Sequence, residues 1–411
     1  MAKKISKAKI VKKKKYEEKV SDNPVEPRRI YLDNAATTML APRVFEAMKP
    51  YLENLCGNAS SMHLEGMQAK QALEEVRVKI AKKINAIPAR LFFTSGGTES
   101  NNWALKGFAF PNKDRGNHII ISSIEHDSIL NQAKWLEKQG FKVTLLKVDS
   151  NGFVDLQDLQ NQITEKTLLV SVIHANNEIG TIQDIEKIAA ICHSRNVLFH
   201  TDACQSFMKC KIDVEKQGID MLTINAHKIY GPKGIGALYV KQGLKIIPLL
   251  HGGGHELGLR SGTENIPSIV GFAEATEIIT EKDVERMQKL RDYLINRIQN
   301  EIPETILNGP VTNRLCNNVN IIFKRIEGES ILLRLDALGI AVSTGSACSS
   351  HTLEPSHVLL AIGIKPELAH GSIRFSLGIE TTKEDIDYTI DCVKKVVADL
   401  REMTPINEGE L

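Results

Sequence analysis

Residues 167 to 183 read TLLVSVIHANNEIGTIQ. The first nine are almost all apolar or β-branched and lack the alternation of a strand that wets one face. Such a run marks a strand covered on both sides. It gives way to polar residues at His174, Asn176 and Asn177. Six comparable runs flank it: LFFTS (91–95), HIIIS (118–122), KVTLLKV (142–148), VLFHTDA (197–203), MLTIN (221–225) and GALYV (236–240). Amphipathic stretches such as ILNQAKWLEKQG (129–140) and IEKIAAICHSRN (185–196) separate them. This alternation predicts an α/β fold whose large domain, residues 46–280, holds a mostly parallel seven-stranded sheet.

Beyond residue 281 the pattern changes. EKDVERMQKLRDYLINRIQNEI reads as one long charged helix, followed by short strands at NVNIIFK (318–324) and SIRFSLG (372–378). A final helix, DIDYTIDCVKKVVADLREM, closes a smaller α+β C-terminal domain spanning 281–411. Residues 31–45 are expected to join that smaller domain. Residues 1–30 carry eleven Lys/Arg against four Asp/Glu and few apolar side chains, so they read as a disordered basic tail.

With that tail set aside, the remaining chain is mildly acidic, because the total formal charge is only +2. This argues against direct nucleic-acid binding. No apolar run approaches the roughly 20 residues of a membrane span. The seven cysteines (56, 192, 204, 210, 316, 348 and 392) include no C-x-x-C pair, so neither a disulfide framework nor a zinc site is expected. A reducing, cytoplasmic location fits that usage.

In parallel sheets ligands bind beyond the carboxyl ends of the strands, and there the sequence is richest in chemistry. After LFFTS comes GGTESNN, where Gly97 and Thr98 open a helix whose backbone N–H groups suit an anion. His126 follows HIIIS, Asn177 follows the opening strand, and Asp202 and Gln205 end VLFHTDACQS. NAHKIYGPKGIG places Asn225, His227 and Lys228 after another strand. Each alone is an ordinary cap, turn former or core residue; five strand ends delivering them to one edge is harder to explain that way. A lysine of lowered pKa forms Schiff bases with aldehydes. An aspartate that keeps a pyridine nitrogen protonated makes pyridoxal phosphate an electron sink. GPKGIG does not match the nucleotide-binding pattern G-x-x-x-x-G-K-[ST]. Farther on, STGSACSSHTLEPSH (343–357) sets Cys348 among small polar residues, the setting of an exposed thiol that is either incidental or reactive. Arg374, inside the apolar SIRFSLG, needs an anion there: a substrate carboxylate or a structural salt bridge.

Taken together, YLDNAATT (31–38), TSGGTESNN (94–102), IEHDSIL (124–130), HANNEIGTIQ (174–183), HTDACQS (200–206), HKIYGPKGIGALYV (227–240), HGGGHELGLRSGTEN (251–265), STGSACSS (343–350) and HGSIRFSLG (370–378) resemble the cysteine desulfurases of the NifS/IscS type. The resemblance covers about residues 30 to 405, with the motifs in family order. It implies a fold-type I, pyridoxal-phosphate-dependent homodimer that converts L-cysteine to L-alanine and leaves a persulfide on Cys348. The sulfur would serve an iron–sulfur scaffold or another acceptor protein, such as one that thiolates tRNA.

Carried over by position, Lys228 is the Schiff-base lysine and His126 the ring-stacking residue that aids proton transfer. Asp202 pairs with the pyridine nitrogen and Gln205 with the phenolic oxygen. Gly97, Thr98, Asn225 and His227 hold the phosphate, joined by Thr263 from the other subunit. Asn177 and Arg374 bind the substrate carboxylate. Asn225 stands where many relatives have Ser, and Gly97 where Ala is frequent. The sequence ends with REMTPINEGEL (401–411), so docking of a scaffold through the longer tail that some relatives carry is not expected. Selenocysteine lyase, or another class-V reaction, shares the cofactor residues, but Cys348 favours sulfur abstraction. A non-catalytic sulfur-assembly protein of the same fold would be expected to have lost Lys228 or Cys348.

Overall fold

The computed structural model describes residues 29–344 and 354–403. A short strand, β1 (Ile30–Tyr31), precedes seven strands that form the major sheet. These are β2 (Leu91–Thr94), β3 (His118–Ser122), β4 (Lys142–Leu146), β5 (Thr167–Ser171), β6 (Leu198–Asp202), β7 (Met221–Asn225) and β8 (Gly236–Val240). All seven expected strands are present. Their order is β2-β8-β7-β6-β5-β3-β4. β8 pairs antiparallel with both neighbours, and every other pairing is parallel. Six strands therefore point their carboxyl ends to one edge.

The near-continuous apolar runs are explained by the two cores. Along β3, Ile120 faces one core while Ile119 and Ile121 face the other. Along β7, Leu222 and Ile224 face the first and Met221 the second. Helices Leu64–Lys83, Ile185–Ser194 and Ile266–Ala275 cover the first face through residues such as Leu73, Val76, Ile188 and Phe272. Helix Asp127–Lys138 and the turn around Trp103 cover the second, through Ile129, Leu136, Trp103 and Phe108. Alternate residues of one strand are thus buried by different helices.

Two further strands, β9 (Thr305–Leu307) and β10 (Asn318–Phe323), precede β11 (Ile340–Ala341) and β12 (Ser372–Ser376). β10 lies between β12 and β9, antiparallel to both. Helix Glu281–Glu301 begins at a capping box, in which Thr280 and Asp283 exchange side-chain-to-backbone bonds. It packs with helix Lys383–Met403 over this small sheet, around a separate core that includes Leu294, Ile298, Phe323, Phe375, Val393 and Val397. β1 pairs in parallel with β11, and Ile30 and Leu32 belong to the same core. No described helix is long and apolar enough to cross a membrane.

Candidate active site

The carboxyl edge of the major sheet opens into a cavity of about 570 Å³. Gly97, Thr98, His126, Asn177, Asp202, Gln205, Asn225, His227, Lys228 and Arg374 all line it. Of the expected site residues, ten therefore converge on one space. Thr263 does not. It lines a separate cavity of about 200 Å³ with Arg260 and Glu264. Cys348 lies outside the described residues. Among the described residues no cluster of three potential metal ligands occurs.

Each strand end places its residue differently. After β2 the chain turns at Gly96, whose φ of 149° suits glycine, and β8 runs so close that a Cβ on Gly236 would lie 2.8 Å from Gly96. Helix Gly97–Asn102 then starts at the cavity. His126 caps helix Asp127–Lys138, its Nδ1 accepting the Ser128 backbone N–H at 3.1 Å. β5 ends at Ser171 rather than at Ala175. The backbone stays beside β6 and its extension through Val172 N–H to His200 O and His174 N–H to Asp202 O, then turns, so Asn177 sits on the loop.

Asp202 ends β6 and is 4% exposed. Its Oδ2 accepts from Asn101 at 2.6 Å and its Oδ1 from the Cys204 backbone N–H at 2.9 Å. Gln205 Nε2 donates to the Ala35 carbonyl at 2.8 Å. Lys228 Nζ donates to the carbonyls of Ala35 and Ala36. The N-terminal DNAATT segment therefore folds across the site, and Thr37 Oγ1 meets His227 Nδ1 at 3.2 Å. Burial, and secondarily the ammonium groups of Lys228, Lys233 and Lys209, hold the His227 pKa down to about 4. His227 is thus a neutral hydrogen-bonding ring at neutral pH.

Arg374, in β12, is 2% exposed. It donates to Asp33 Oδ1 at 3.0 Å and to the Asn177 carbonyl at 3.1 Å, while its Nε has no partner among the described residues. The salt bridge and a vacant donor coexist on one guanidinium. Gln205 Oε1 and Asn225 Oδ1 are likewise buried without a partner among the described residues. Several orphaned polar atoms on residues of one cavity wall, beside a buried carboxylate and a lysine, are what a polar aromatic phosphate would require. The residues present therefore fit pyridoxal phosphate.

Several residues that the sequence reading passed over belong to this wall. Glu125, next to His126, is buried; its Oε1 accepts from Ser122 and from the Ile173 N–H at 2.7 Å, and its Oε2 has no partner among the described residues. Burial raises its pKa to about 8. Burial also raises Glu178 to about 7, against the opposing bond from Ser356. His357 Nε2 donates to the Glu125 carbonyl at 2.9 Å, because a carbonyl oxygen can only accept. Ser343 exchanges two backbone bonds with Arg374. Both flanks of the stretch that carries Cys348 are thus anchored at the cavity.

With this geometry in view, comparison with known proteins is direct. The family model described as Aminotransferase class-V matches residues 30–389. The chain is 51% identical over 384 residues to Cysteine desulfurase IscS of Dictyoglomus turgidum, covering 93% of this chain and 98% of that one. It is 50% identical over 388 residues to Cysteine desulfurase IscS of Methanosarcina thermophila, covering 94% and 96%. Among solved structures, a NifS-like protein superposes with a TM-score of 0.86 at 39% identity, over 91% of this chain and 100% of that one. A structure described as SspA in complex with cysteine gives 0.77 at 39% identity, over 86% and 100%. The chain belongs to the class-V aminotransferases, a pyridoxal-phosphate-dependent family, and within them to the cysteine desulfurases of the NifS/IscS type.

Proposed function

We propose that this chain removes the sulfur of L-cysteine and holds it on Cys348 as a persulfide, releasing L-alanine. The observation that carries this reading is the convergence of Lys228 and Asp202 on one cavity, with Gln205 Oε1 and Asn225 Oδ1 left in need of partners. Pyridoxal phosphate, when bound, supplies an electron sink for charge developing at the substrate Cα. Lys228 would hold it and would move the Cα proton. Asp202 would keep its ring nitrogen protonated, Gln205 would serve its phenolic oxygen, and His126 would stack on the ring. Gly97, Thr98, Asn225 and His227 would hold its phosphate. Arg374 and Asn177 orient the substrate carboxylate. The Cys348 thiolate attacks the substrate sulfur: an S–S bond forms, the C–S bond breaks, and the carbon takes up a proton to become the methyl of alanine.

Thr263 would complete the phosphate site from a second copy. A homodimer is supported by the exposed apolar side chains of Met39, Phe45, Leu52, Met62, Met67 and Leu257. The domain division at residues 46–280 and 281–411 is supported by the separate cores and sheets. The persulfide is then a donor to an iron–sulfur scaffold or another acceptor protein in the cytoplasm. The cysteine-bound neighbour and the presence of Cys348 favour this over selenocysteine lyase. The test is borohydride reduction of the holoenzyme followed by peptide mapping. A pyridoxyl group on Lys228 is expected; a label on another lysine would overturn the site assignment.

A further inference from the structure

The side chains of Asp202 and His126 enter the cavity from different strand ends, yet a continuous hydrogen-bonded path joins them. Asn101 is buried on helix Gly97–Asn102. Its Nδ2 donates to Asp202 Oδ2 at 2.6 Å and to Ser128 Oγ at 2.8 Å. Reversing the amide would set Oδ1 against the Asp202 carboxylate, so this orientation is fixed by charge. Both amide protons are then committed. Ser128 Oγ accepts one of them, which leaves its own proton for His126 Nδ1 at 2.9 Å. The Ser128 backbone N–H points at the same nitrogen from 3.1 Å. A backbone N–H can only donate, so Nδ1 is an acceptor and the neutral ring carries its proton on Nε2.

We propose that Asn101 and Ser128 are positioning residues that tie the Asp202 carboxylate to the His126 imidazole and hold His126 in the Nε2–H form. The carbonyl of Asn101 is buried with no partner among the described residues, so the amide is kept at this point for its two donors. One hydrogen-bonded path thereby links the Asp202 carboxylate to the ring whose Nε2 carries the proton. The catalytic consequence rests on the desulfurase reading; the tautomer does not.

The test uses ¹⁵N-histidine-labelled, cofactor-loaded full chain, with the His126 signals assigned by their loss in a His126→Gln variant. Wild type is expected to show a protonated Nε2 and an unprotonated Nδ1 in its neutral ring. Ser128→Ala keeps only the longer backbone donor, and a measurable Nδ1–H population is expected; Ser128→Thr, which retains the hydroxyl, restores the wild-type spectrum. Asn101→Ala is expected to show the same mixing, with circular dichroism and thermal melting reporting its fold. In both Ala variants kcat for alanine release should fall about tenfold while KM changes little. A wild-type ring protonated on Nδ1, or a Ser128→Ala spectrum identical to wild type, would overturn the proposal. A tautomer as expected with no alanine formed by wild type would instead count against the desulfurase reading alone.

Discussion

Arg374 and Asp33 form a nearly buried ion pair at 3.0 Å, with side-chain exposures of 3% and 20%. Asp33 belongs to the N-terminal segment and Arg374 to β12, so the pair joins two distant parts of the chain at the cavity wall. The same guanidinium is the group proposed to bind the substrate carboxylate. Lysine in its place keeps the charge but loses the planar fork and its spare Nε donor. Arg374→Lys is predicted to raise KM for L-cysteine by about 10-fold to 100-fold, because losing a charge-assisted bond costs roughly 1.5–3 kcal/mol, with kcat much less affected. Steady-state kinetics check this; an unchanged KM would remove Arg374 from substrate binding.

Asp33→Ala makes a different prediction. It leaves the Arg374 charge buried without its counter-ion, and breaking a buried pair in this way costs about 3–5 kcal/mol. Asp33 is partly exposed, so the low end is expected. Urea unfolding should show the midpoint lowered at constant slope.

Gly97 is constrained by a neighbour. A Cβ at this position would lie 2.6 Å from Cys204 Sγ. Gly97→Ala is therefore predicted to destabilise by about 1–3 kcal/mol through overpacking. The double variant Gly97→Ala/Cys204→Ala should recover most of that loss, giving a non-additive cycle. Additive melting shifts would show that the two side chains do not compete for space.

Much of this site was legible in the sequence, and the part that was not has a common cause. Six of the seven strands and the residues ending them could be read because burial on both faces leaves an apolar run that stops at polar residues, as at Asn225; β4, at the sheet edge with Lys142 and Leu145 exposed, lacks that cover. The resemblance to the NifS/IscS-type cysteine desulfurases then implied their roles. Contacts between separate segments left no such trace: nothing in YLDNAATT announces that the Ala35 and Ala36 carbonyls receive Lys228, or that Asp33 meets Arg374. Asn101 read as an ordinary helix residue because its two acceptors lie 27 and 101 positions away. Nor does the sequence show that Cys204 claims the space a Cβ at Gly97 would need.

Glu125 should govern stability on the alkaline side. Its folded pKa of about 8 exceeds the ordinary value of 4.5, chiefly through burial. The folded state thus binds the proton more tightly than the unfolded one between those values. Stability is fully present below pH 4.5 and is lost as pH rises toward 8. Glu125→Gln replaces the neutral acid by an isostere that does not titrate. The difference in melting temperature between variant and wild type is predicted to grow in the variant's favour from pH 5 to pH 8; parallel curves would contradict it.

On the acid side the buried histidines should dominate. Burial lowers His174 and His200 to about 4. Their folded pKa values lie below the ordinary 6.5, so the neutral rings favour folding above that pH and lose the contribution as pH falls toward 4. His200 bridges Ser171 and Thr223. His200→Gln is predicted to flatten the fall in stability between pH 6.5 and 4, measured by urea unfolding at each pH.

The central claim is that sulfur leaves L-cysteine for Cys348 in a reaction that needs Lys228. The most direct measurement incubates wild type, Lys228→Ala and Cys348→Ser with L-cysteine and a thiol reductant, then quantifies alanine and sulfide. Equal amounts from wild type and neither product from the two variants are predicted. Alanine produced by Cys348→Ser at the wild-type rate would contradict the persulfide account.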